Sequence, residues 1–142
     1  MLAAAQVVDA VAARIAALPA YSGRVFTSRL WPLADADLPA WRVTAAEEPV
    51  LPGTISGINE HQLLVEARGY HRATADLDDT LHAMASAALA ALFAPPVPHG
   101  LQLERIDRDT TTDGEAAHGV VTLSLRAVFH VDPAAPDTLL TV

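Results

Sequence analysis

Histidines, aspartates, serines and arginines are the residues through which this chain could do chemistry. The histidines His61, His71, His82, His99, His118 and His130 form no HExxH pattern, and no two lie four apart on a helix, so they do not read as a zinc site. Scattered surface or half-buried imidazoles are the plainer expectation. Asp76-Leu77-Asp78-Asp79 could hold a metal or work as acid and base, but Asp78 and Asp79 are adjacent, and adjacent helical residues do not face each other. Asp76 is expected to cap a helix, with Asp78 and Asp79 in its first turn, where negative charge favours the helix dipole. Ser22 and Ser56 are turn serines without the GxSxG elbow that presents a nucleophile. There is no GxGxxG and no phosphate-binding loop. The expectation is therefore no catalytic, metal or cofactor site, and not an enzyme.

All 9 basic residues are arginine, and cysteine is absent. Disulfides, thiolate metal sites, Schiff-base chemistry and a P-loop lysine are all excluded. With 17 acidic residues the net charge is −8, which argues against a nucleic-acid binder that works by counterion release.

What remains is contact chemistry. Arg24, Arg29, Arg42, Arg68, Arg72, Arg105 and Arg126 fall mostly on expected strands or their ends. Arginine together with aromatic residues such as Trp31 and Tyr70 is a composition typical of protein interfaces. Acidic candidates for the same role are Asp35, Asp37, Glu47, Glu48, Asp109, Asp113 and Glu115. The opposing expectation is a solvated strand face with cross-strand ion pairs, such as Glu66 to an arginine. Trp41, on an apolar strand face, could equally be a core residue.

The positioning elements follow from periodicity. Met1 to Leu18 reads as a helix, with Val7, Val8, Val11, Ile15 and Leu18 on one stripe and Pro19 ending it. Asp9 and Arg14 interrupt that stretch, which falls short of the roughly 20 apolar residues of a membrane span. No positive n-region precedes it, so it does not read as a signal peptide. Arg24 to Thr27 and Trp41 to Ala45 read as short strands, and Glu47 to Ile58 as an irregular loop or weak ribbon. Gln62 to Arg72 reads as a strand with Leu63, Val65, Ala67 and Gly69 inward. Asp76 to Phe93 is a helix whose Leu77, Leu81, Met84, Ala88 and Leu92 form a buried stripe. Leu101 to Arg108 and Gly119 to Val131 read as the last two strands, joined by a long loop in which Asp113-Gly114 is a turn signal.

The chain length of 142 residues suits one domain. The expected fold is α/β (α+β): a small mixed, largely antiparallel sheet of four to five strands, with two helices on one face and the order α-β-β-β-α-β-β. The domain is placed at 1–131, followed by a proline-broken extension at 132–142 that is either frayed or docked on a partner.

The order of these elements carries a resemblance. It combines a leading helix, short strands around Trp31 and Trp41, the strand Leu64-Val65-Glu66-Ala67-Arg68-Gly69-Tyr70, and Asp78-Asp79 opening an alanine-rich helix. A Leu-Glu-Arg-Ile-Asp strand, an acidic Asp-Gly-Glu loop and a long last strand complete it. Together they resemble the tail-terminator proteins of long-tailed phages, of the lambda minor tail protein U type. The resemblance covers nearly the whole chain as an element order, without an invariant motif, and the proline-rich C-terminal tail departs from it.

The resemblance implies a virion protein, assembled in the host cytoplasm, that closes as a hexameric ring on the tail tube. Such a ring stops tube growth and forms the surface joining the neck and head-completion proteins. Its partners would be itself, the tail tube protein and a neck protein, with DNA passing through unbound and no membrane involved. Loops at 46–60 and 107–118 would be mobile before assembly. An acidic lumen would keep DNA from adhering. Alternatives are another head-tail connector (a head-closure or adaptor protein), a small α/β enzyme assembled from distant histidines and aspartates, or a ligand-binding module.

Overall fold

The structure, a computed structural model, describes residues 2–27, 33, 37–53, 57–73, 76–113 and 116–140, apart from the side chains at 73, 112, 113, 116 and 117. Helix α1 spans Ala3–Ala16 and α2 spans Leu77–Leu92. The strands are β1 (Val25–Phe26), β2 (Ala40–Glu47), β3 (Val50–Pro52), β4 (Asn59–Ala73), β5 (Gln102–Asp113) and β6 (Ala116–Val131). They form one open six-stranded sheet in the order β1-β2-β4-β6-β5, with β3 paired to β4 beyond the end of β2. Only β1 runs parallel to its neighbour. The fold is thus mixed α+β, with both helices on one face of a mostly antiparallel sheet.

Strict alternation builds the core. In β4, Leu63, Val65 and Ala67 are fully buried, and β6 answers with Val121, Leu123, Leu125 and Ala127. Direct register pairs such as Val65 with Leu125 put both sets on one side. Onto this side α1 lays Val7, Val8, Val11 and Ile15, and α2 lays Leu77, Leu81, Met84, Ala88 and Leu92, as their spacing predicts. Trp41 is fully buried, which decides between its two readings: it is a core residue. Its indole lies against Gly69 across the β2–β4 pair, where a Cβ would approach ring atoms to 2.9 Å. Gly69 is therefore the vacancy that lets the largest core side chain lie flat on the sheet.

Two features join the layers. Leu2 caps α1 without a side-chain bond; instead the Ala3 N–H donates to the Pro136 carbonyl at 3.1 Å, and the Gln6 amide donates to the Asp137 carbonyl at 2.6 Å. The C-terminal segment thus satisfies one of the open N–H groups at the start of α1 and ties down a side chain of its first turn. Leu140 N–H then bonds the His130 carbonyl at 3.0 Å, and Leu139 packs on the core. At the other end, the Arg14 guanidinium donates to the carbonyls of Ala94 at 2.7 Å and Pro96, holding the exit of α2 against α1.

The structure corrects several local expectations. Residues 109–113 and 116–118 are ladder rather than loop, because Thr110, Thr111 and Thr112 favour extended backbone and Asp113 pairs directly with Ala116. The described part of the 107–118 stretch is therefore strand rather than a long mobile loop. Part of the 46–60 region is strand β3, paired with Asn59, Glu60 and His61. Asp76 does not cap α2 through its side chain. It sits in the left-handed region at φ 56, which aspartate tolerates, and its carbonyl accepts from both the N–H and hydroxyl of Thr80 at 3.0 Å.

Replacing Gly69 with alanine should lower unfolding stability by about 1–3 kcal/mol, since the new methyl drives into a fully buried ring. Urea denaturation of the Gly69→Ala variant checks this, and an unchanged midpoint would refute the close packing.

Candidate interaction surface

Because β4 and β6 alternate so regularly, the even-numbered residues of both strands project to the face without helices. The register lines them into rows across four strands. Ala40, Tyr70, Val120 and Asp109 form one row, and Arg42, Arg68, Thr122 and Asp107 the next. Then come Thr44, Glu66, Ser124 and Arg105, followed by Glu47, Leu64, Arg126 and Gln102. At the upper end, Arg72 pairs with His118, which pairs with Thr111.

Two bulges keep these rows in phase. Leu103-Glu104-Arg105-Ile106 cannot alternate, since two polar residues separate two apolar ones. A bulge between Leu103 and Arg105 absorbs the extra residue, returning Ile106 to the core side. The displaced Glu104 meets the Arg126 guanidinium through both carboxylate oxygens. That contact holds the Glu104 carboxyl below the usual carboxylate range, burial opposing it only in part. A second bulge between Ala45 and Glu47 does the same for β2.

The charges are largely arranged in pairs. Arg68 bonds Glu66 at 2.8 Å and Arg105 bonds Asp107 at 2.9 Å. The Arg42 guanidinium lies over the Tyr70 ring, 5.7 Å from its centre, a cation–π geometry. The expectation of ion pairs on a strand face is therefore met, with Glu66 joining Arg68 on its own strand rather than across strands. Between these groups lies a shallow concavity of about 170 Å³ lined by Arg42, Thr44, Arg68 and Tyr70. A second, of about 180 Å³, lies beside it among Tyr70, Asp109, Thr111, His118, Gly119 and Val120. A larger one, of about 470 Å³, runs along α1 between Leu2, Val8 and Asp9 and the β2 residues Thr44 and Ala45.

The structure thus gathers Arg42, Glu47, Arg68, Tyr70, Arg72, Asp109 and Arg126 on one face. It separates others. Arg24 donates to the Leu38 carbonyl at 2.7 Å, a bond inside its own domain. Glu48 lies away from the rows, 2.6 Å from His61 Nδ1. Asp37 lies in the turn leading to β2. Arg29, Trp31, Asp35, Glu115 and the side chain of Asp113 fall outside the described residues. Glu104 and Asp107 escaped sequence reasoning; the broken alternation at 103–106 was the signal that could have found Glu104.

The histidines stay dispersed. His61 stacks on Phe129 at 5.1 Å, His82 approaches Arg108 at 3.2 Å, and His130 lies 3.7 Å from Glu60. Among the described residues no group of three histidine or acidic side chains could hold a metal ion. Among them, too, no helix is long and apolar enough to cross a membrane.

No family model matches the chain, and no curated protein matches it. Among solved structures, it is similar to a chain of the virion of a native gene transfer agent particle. The identity is 16%, the match covers 90% of this chain and 92% of that one, and the TM-score is 0.47. A likeness of that depth carries nothing about what this chain binds.

His71 lies on the core side at the upper end of β4, and burial lowers its pKa below the ordinary imidazole value. Its Nδ1 accepts the Arg72 N–H at 2.8 Å, which needs that nitrogen unprotonated. Below pH ~6.5 the unfolded chain takes up a proton that the folded chain resists, so stability should fall as pH falls through that range. Denaturation midpoints between pH 7.5 and 5 should show the slope (roughly the window set by the imidazole value), and His71→Gln should flatten it. An equal slope in the variant would assign it to another group.

Proposed function

We propose that this chain is a structural protein of a phage-like virion, of the tail-terminator type. It works by assembly rather than catalysis. Copies close into a ring, expected as a hexamer, on the end of the tail tube. The ring ends tube growth and presents the surface that receives a neck or head-completion protein.

The observation that carries this reading is the two-sidedness of the domain. One face is a sheet of arginine, acid and tyrosine in registered rows; the other is a helix layer with exposed Asp9, Asp78 and Asp79. Two dissimilar faces suit a head-to-tail contact, and repeated head-to-tail contacts close as rings when the rotation between copies permits. The element order read from the sequence supports the same assignment. The charge of −8 suits a wall past which DNA moves without adhering.

The purified protein, alone and mixed with a tail tube protein, provides the test. Light scattering should give a mass that is a multiple of the 14.9 kDa protomer, and negative-stain images should show rings. Added to polymerising tube protein, the chain should shorten tubes and sit at one end only. Binding to a neck protein with no effect on tube length would instead assign it to the connectors. Failure to bind either would overturn the reading.

A further inference from the structure

β5 forms one edge of the sheet, and among the described residues β6 is the only strand paired with it. Over Gln102–Asp113 its outer row of backbone N–H and C=O groups faces away from the sheet, a template for a further strand. The helix layer stops short of this edge. Leu103 is 40% exposed although its partner Leu125 is fully buried, and Arg108 and Thr110 are exposed on the same side.

The order of side chains along β5 is self-complementary. Arg105, Asp107 and Asp109 project to the open face, in register with Ser124, Thr122 and Val120. Ile106 and Arg108 project to the helix side, in register with Leu123 and Val121, and the bulge at Glu104 brings Leu103 to that side too. Consider a second copy pairing antiparallel through its own β5, with both helix layers on one side of the joined sheet. The two strands are then related by a twofold axis through one residue and its copy, because side chains directly opposite must share a face. An axis at Arg105, Asp107, Arg108 or Asp109 sets like charges against each other, which is unfavourable. An axis at Ile106 sets isoleucine on isoleucine. It also sets Arg105 against Asp107 of the second copy, and Asp107 against its Arg105. With the bulge counted as one extra residue, Leu103 then meets the aliphatic stem of Arg108, and Gln102 meets Asp109.

Arg105 and Asp107 already bond each other along the strand at 2.9 Å, with side chains 72% and 47% exposed. The pairing keeps those bonds. A guanidinium and a carboxylate each retain hydrogen-bonding capacity beyond one partner, so the pairs of the two copies close into one alternating set of charges.

We propose that β5 is a self-pairing edge, through which two copies join antiparallel into one continuous sheet centred on Ile106. Main-chain bonds supply the affinity and the charge order supplies the register. The charges that discourage other strands admit this one. The contact uses the same strand twice and closes on itself. It stands apart from the ring contact, which needs two different patches, and does not rest on it.

The test is sedimentation of the purified chain without any partner. The wild type should approach twice the 14.9 kDa protomer mass as concentration rises. Arg105→Asp sets carboxylates against carboxylates, and Asp107→Arg sets guanidiniums against guanidiniums. Alone, each should pair at least about tenfold more weakly than the wild type. Mixed, they should recover a one-to-one pair. A double variant carrying both changes should recover pairing by itself, because exchanging the two charges leaves the pattern self-complementary. Both side chains reach solvent, and circular dichroism checks that each variant is folded. The chain has no cysteine, so a single introduced thiol reports the axis. On oxidation, Ile106→Cys should form a covalent pair at least about tenfold faster than Arg108→Cys, since only residue 106 lies opposite its own copy. Folded single variants that pair as the wild type does, a double variant as weak as the singles, or equal cross-linking at both positions would each overturn the proposal. A wild type that stays monomeric at every concentration would overturn it too, and would leave the ring reading to its own test on tube length.

Discussion

The β4–β6 ladder is the constraint on which the rest of the molecule depends. Its register runs without a shift from Asn59–Val131 to Ala73–Ala117. Side chains alternate with period two, so an unbroken ladder assigns each residue of both strands to a face at once. Leu63, Val65, Leu123 and Leu125 go to the helices, and Leu64, Glu66, Arg68, Ser124 and Arg126 go to the other side. A slip of one residue would bury Glu66 and Arg68 beneath the helices, and the cost of burying unpaired charge forbids it.

The outer strands accommodate themselves to that ladder. Neither β2 nor β5 alternates perfectly, and each carries one bulge where its pattern breaks. The bulge in β5 does two things. It restores Ile106 to the core, and it delivers Glu104 to Arg126. β5 is one of the sheet's edge strands, and Glu104, Arg105, Asp107, Arg108 and Asp109 make that edge strongly charged, which discourages indiscriminate strand pairing.

The helix layer is fastened by polar contacts at its ends as well as by apolar burial. The carbonyls of Pro136 and Asp137 meet the start of α1, and Arg14 of α1 meets the carbonyls that follow α2. These bonds keep α2 in a fixed position over β6, and the placement of Asp78 and Asp79 relative to the opposite face follows from it. The described part of the C-terminal segment belongs to the domain's own packing, where composition alone suggested a frayed end or a partner contact.

The broken alternation at 103–106 was present in the sequence but went unread. Local pattern was enough to place both helices and the inward residues of β4, because these depend only on period and side-chain polarity. It also named most of the open-face arginines, since each occupies an outward position of a strand. Tertiary structure alone decided the rest. The extension of β5 and β6 through 109–118 and the pairing of β3 come from partners remote in sequence. The burial of Trp41 depends on the vacancy at Gly69, a residue 28 positions away across a strand pair. The open face itself needs Arg42 and Arg68 brought opposite each other by the β2–β4 register, with the helices packed behind the sheet. No sequence period encodes such a juxtaposition, because it is set by register between strands and by the layer that covers them.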